Sequence, residues 1–73
     1  MTPGAAERMW RVRKHHTWID AHVRASGASR FELLFHYDGA LVLNRAYRTR
    51  EDAVAQAGRQ LHELERAGWN THW

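Results

Sequence analysis

Cysteine is absent from this chain, proline occurs once, and no apolar run approaches the roughly 20 residues that cross a bilayer. Without cysteine, neither a disulfide framework nor a cysteine-rich zinc site can brace a small core. The single proline lies in Met1–Arg8, a stretch of small and polar residues with nothing to pack. Residues 1–8 therefore read as a disordered leader, and 9–73 as one domain. The same leader lacks a basic region followed by an apolar stretch, so no signal peptide or membrane partner is expected, and the cytoplasm is the expected location. Acid is also scarce early on. Residues 8–30 carry Arg8, Arg11, Arg13, Lys14, Arg24 and Arg30 against Asp20 alone, whereas 31–73 is nearly balanced. The basic character is local, as for an anion-facing patch.

What is present is a short chain rich in aromatics. At 73 residues it buries only about 60% of its unfolded surface, so its stability rests on efficient packing or on an oligomer. Four tryptophans, two tyrosines and two phenylalanines suit that need.

Alternation marks four strands. Met9–Lys14 sets Trp10 and Val12 against Arg11 and Arg13. Thr17–Ala25 sets Ile19, Ala21 and Val23 against Trp18, Asp20, His22 and Arg24. Phe31–Tyr37 places Phe31, Leu33, Phe35 and Tyr37 on one side, and the fourth strand runs from about Leu41 to Tyr47. Asp38-Gly39 between them is a strong hairpin signal. A two-residue turn scatters the apolar set across both faces. A three-residue loop with a glycine bulge pairs Phe35 with Leu41 and Leu33 with Leu43, and burial favours that register.

A helix follows. Thr49 caps it with Asp52 three residues on, and Ala53, Val54, Ala57, Leu61 and Leu64 form its apolar stripe. Gly58 suggests close approach to the sheet, and Gly68 ends the helix with Trp69 folding back on its last turn. The expected fold is α+β, a four-stranded antiparallel sheet in the order β-β-β-β-α with one C-terminal helix packed on one face.

One helix leaves the second sheet face open. Arg11, Arg13, Lys14 and Arg24 are the candidates there for neutralising phosphates, with Trp18 and His22 contacting bases or sugars of DNA or RNA. The bland account of the same arginines is a soluble, protected strand edge. The competing class is a protein-interaction module, such as a small host- or phage-encoded regulator or inhibitor, docking through the same face or the sheet edge. Leu34, Val42, Trp69 and Trp73 are its candidate anchors, and Leu34 with Val42 could seed a homodimer. Trp73 either packs across the sheet edge or reaches a neighbouring subunit, with packing favoured.

Asp20, His22 and His36 share a face but lack the spaced pair of a metal motif, so surface histidines are the expected reading, with no metal and no cofactor. No nucleophile sits in a recognisable context and the architecture leaves little room for a pocket, so a non-enzymatic role is expected.

Arg11-Val12-Arg13-Lys14, Trp18 to Arg24, and Ala46-Tyr47-Arg48-Thr49-Arg50-Glu51-Asp52-Ala53 resemble the plan of ethylene-response-factor-type DNA-binding domains. That resemblance implies major-groove contact by Arg11, Arg13, Trp18 and Arg24. The chain departs from the plan by adding Phe31–Tyr37 and by lacking the family's turn glycines. The Thr-x-Glu-x-Ala helix start is also similar to many small uncharacterised bacterial strands-then-helix domains.

Overall fold

The structure, a computed structural model, describes residues 6–71. Strands β1 (Glu7–Lys14), β2 (Thr17–Gly27), β3 (Arg30–Tyr37) and β4 (Ala40–Tyr47) are followed by helix α1 (Arg50–Arg66) and strand β5 (Asn70–Thr71). They form one antiparallel sheet in the order β4-β3-β2-β1-β5. The α+β class and the first four strands are as expected, but the strand count is five rather than four. The fifth arises because α1 delivers the chain back to the outer edge of β1. There Thr71 lies opposite Val12 and Asn70 opposite Arg13, giving that edge backbone partners.

The sheet also starts earlier than expected. Glu7 and Arg8, read as leader, lie opposite Val23 and His22, and Glu7 pairs with Arg50 at 3.0 Å. The rest of the expected leader, residues 1–5, lies outside the described residues.

Trp10, Val12, Ala21, Val23, Leu33 and Phe35 form the sheet half of the core, and Ala53 and Ala57 the helix half. Both alanines are buried, so α1 meets the sheet on its smallest side chains. Trp10 Nε1–H donates to the Ala57 carbonyl at 2.8 Å, satisfying the one polar atom of that ring. Gly58 does not mark the close approach expected of it. A Cβ built there meets no atom within 4 Å, because the neighbouring Ala57 occupies the contact line instead.

Both helix ends follow their sequence signals. Thr49 Oγ1 accepts from the Asp52 N–H at 3.1 Å. Gly68 adopts φ +97°, the Trp69 N–H donates to Leu64 O at 3.0 Å, and the Gly68 N–H donates to Glu65 O at 3.1 Å. This is a Schellman motif, and its hydrophobic partners Leu64 and Trp69 both pack against the core.

The β3–β4 hairpin starts with the two-residue turn, not the favoured three-residue loop, and then shifts register at a bulge. Asp38 and Gly39 both take positive φ (50° and 86°), and Tyr37 lies opposite Ala40, so the turn has two residues. That register continues to His36 opposite Leu41. Val42 then has no partner, and Phe35 lies opposite Leu43, Leu33 opposite Arg45 and Phe31 opposite Tyr47. Turn geometry fixes the first pairs. One bulged residue then returns Leu43 and Tyr47 to the helix side, where burial favours them. The expected pairings of Leu41 with Phe35 and Leu43 with Leu33 are therefore corrected, and Leu41 leaves the covered face.

Candidate functional site

The face away from α1 carries most of the residues that alternation assigned to it. Arg11 lies opposite Asp20, Arg13 opposite Trp18, Arg8 opposite His22, and Arg24 opposite Glu32. Lys14 is a correction. Its strand parity follows Trp10 and Val12, and its Nζ donates to the Ala67 carbonyl at 2.9 Å, at the negative end of α1. It serves the helix terminus and faces away from the proposed phosphate surface.

Cross-strand register joins the remaining cations to acids. Arg11 Nε donates to Asp20 Oδ1 at 2.5 Å and its second nitrogen reaches Oδ2 at 3.1 Å. Arg24 Nε donates to Glu32 Oε2 at 3.1 Å, and Arg24 Nη2 also donates to that oxygen. Burial pushes the Asp20 carboxyl up. Its bond to Arg11, aided by the charges of Arg11, His22 and Arg8, outweighs this and holds it below the usual carboxylate range. Hydrogen bonding from Arg24 likewise lowers Glu32, although burial opposes it. Much of the positive charge of this face is thus answered within the face.

Trp18 is held at the β2 end of the surface. Its N–H donates to Asp38 Oδ1 and the Asp38 N–H donates to its carbonyl, each at 2.9 Å. The guanidinium carbons of Arg11 and Arg13 stand 5.3 and 5.0 Å from its ring centre. Arg11, Trp18, Asp20, Asp38 and Gly39 line a shallow depression beside this cluster.

His22 and His36 meet edge to face with ring centres 5.0 Å apart. Burial, with a contribution from His36, lowers the His22 pKa below its ordinary value, and Asp20 opposes the shift. Among the described residues no three His, Asp or Glu side chains are placed to hold a metal ion.

Two of the proposed docking anchors are not open to a partner. Leu34 is buried although it lies on the uncovered face, opposite His22 on one side and Asn44 on the other. Trp69 is half-buried as the closing residue of the helix cap. Trp73 lies outside the described residues. Val42, by contrast, is 62% exposed, and sequence reasoning missed its neighbours. Leu41 is 53% and Leu43 39% exposed, with Tyr37 also open. A signal for this existed. A two-residue Asp38-Gly39 turn and a core-facing Tyr47 are compatible only if one residue between them is bulged.

Residues 40–46 are exposed along their whole length, and β4 ends the sheet with no strand beyond it among the described residues. The three aliphatics wrap this rim, Leu41 beside His36 on the uncovered face and Leu43 beside Phe35 on the helix side. No helix among the described residues is long and apolar enough to cross a membrane. No family model, curated protein or solved structure matches the chain.

Proposed function

We propose that this chain is a non-enzymatic, cytoplasmic interaction module that docks another protein chain along the rim of β4. One observation carries the reading. Leu41, Val42 and Leu43 are consecutive, aliphatic and exposed on a strand whose outer edge nothing pairs among the described residues. Clustered exposed apolar side chains beside unpaired strand edges are where proteins associate. A photo-crosslinking residue at position 42 tests it in cells, with position 59 on the exposed side of α1 as control. Protein adducts specific to position 42 support docking, and equal yields at the two positions overturn it.

Nucleic-acid contact is the second reading, supported by the Arg11–Trp18–Arg13 cluster on the uncovered face. Pairing of Arg11 with Asp20 and of Arg24 with Glu32 reduces the charge available to phosphate. The reading requires measurable affinity for duplex or single-stranded DNA at low salt, falling as salt rises and weakened by Arg13→Gln. No binding at low salt removes it.

A further inference from the structure

We propose that the partner seated on β4 is the β4 of a second copy of this chain, antiparallel to the first, about a two-fold axis between Val42 and Leu43. This rests on the docking reading above and names its occupant. The bulge selects the partner. On one side of Val42, Leu41 lies on the uncovered face. On the other, Leu43 lies on the helix face, so alternation breaks between them. A regular strand matches the faces of β4 on only one side of such a break. A second copy brings the same break. With the axis between Val42 and Leu43, Leu41 of one copy meets Asn44 of the other, both on the uncovered face. Ala40 then meets Arg45, both on the helix face, and Val42 meets Leu43 at the centre.

Charge agrees with this orientation. Asp38, in the turn before β4, is brought beside Tyr47 and Arg48 of the other copy. The two Arg45 residues stand about 17 Å apart along the strands, five residues at 3.4 Å each. A parallel arrangement would instead place Arg45 next to Arg45. The apolar rim is thus self-complementary in the one sense that also separates like charges.

The absence of cysteine makes the register directly testable. Leu41→Cys and Asn44→Cys chains, prepared separately and mixed under mild oxidation, should form a mixed disulfide. Neither alone should, because residues 41 of the two copies are offset by about 10 Å along the strands. Sedimentation equilibrium of the wild type should give twice 8.6 kDa, and Val42→Lys should return it to the single mass with unchanged helical circular dichroism. Three outcomes overturn the proposal: a wild-type monomer at millimolar concentration, a dimer undisturbed by Val42→Lys, or equal cross-linking of all cysteine combinations. Amide exchange then separates the two readings. A monomer with freely exchanging outer β4 amides loses only the self-pairing, whereas one with protected amides loses the docking reading as well.

Discussion

Leu41 and Leu43, two residues apart on β4, lie on opposite faces of the sheet, the first opposite His36 and the second opposite Phe35. In an unbroken strand residues at this spacing share a face. The unpaired Val42 between them creates the difference, and with it the apolar rim.

Deleting Val42 should remove the bulge yet keep Phe35 opposite Leu43 and every later pair. Stability should change by less than about 1 kcal/mol, since an exposed residue with no ladder partner is lost. Deleting Asn44 also uses up the extra residue, but keeping Arg45, Ala46 and Tyr47 in place then turns Leu43 from Phe35 to the uncovered face opposite Leu34, so it should cost more than deleting Val42. Urea denaturation of both variants at one protein concentration makes the comparison, and equal losses would contradict the observed register.

Trp10→Phe should cost about 0.5–1.5 kcal/mol beyond its change in volume, because the buried indole bond to Ala57 is lost while that carbonyl keeps its helical donor. The measurement is again the denaturation midpoint. A loss no greater than that of an exposed substitution on α1 would show that water replaces the indole.

Gly58→Ala should stabilise the protein by about 0.5–1 kcal/mol. Helical glycine costs about that much relative to alanine, and open space surrounds the new methyl. A fall in thermal midpoint would show that α1 lies closer to its neighbours than the open space around Gly58 indicates.

Stability should decline on acidification in two stages. His22 has a lowered pKa in the fold, so between that value and its unfolded value of about 6.5 the unfolded chain binds more protons. Its contribution is complete above about 6.5 and is lost as pH falls through the lowered value. Asp20 and Glu32, also lowered, lose theirs only in the acid range, as pH falls below their unfolded values of about 3.8 and 4.5. His22→Gln should flatten the first stage of a stability-against-pH curve and leave the second. An unchanged first stage would assign it to another group.

Arg11 and Arg24 show where reading the sequence stops. Their alternation with Val12 and Val23 placed them on the uncovered face, where they are. Asp20 was assigned to the same face and Glu32, alternating with Phe31 and Leu33, falls there too, but alternation alone does not say which acid stands opposite which arginine. Register decides that, and it ties both arginines to carboxylates. Lys14 fails for a related reason. It follows Arg13 in the basic run, yet one residue of parity turns it to the helix end.

By itself the sequence determined the faces of β1, β2 and β3, both ends of α1, and the presence of a hairpin turn at Asp38-Gly39, for which it favoured three residues where the structure has two. Each of these follows from side-chain period or from local backbone chemistry within a few residues. Tertiary structure decided the bulge at Val42, the fifth strand beside β1, the ion pairs across the sheet and the exposure of the β4 rim. These depend on which strands meet and in what register, a choice made by burying the whole apolar face at once rather than by any one segment.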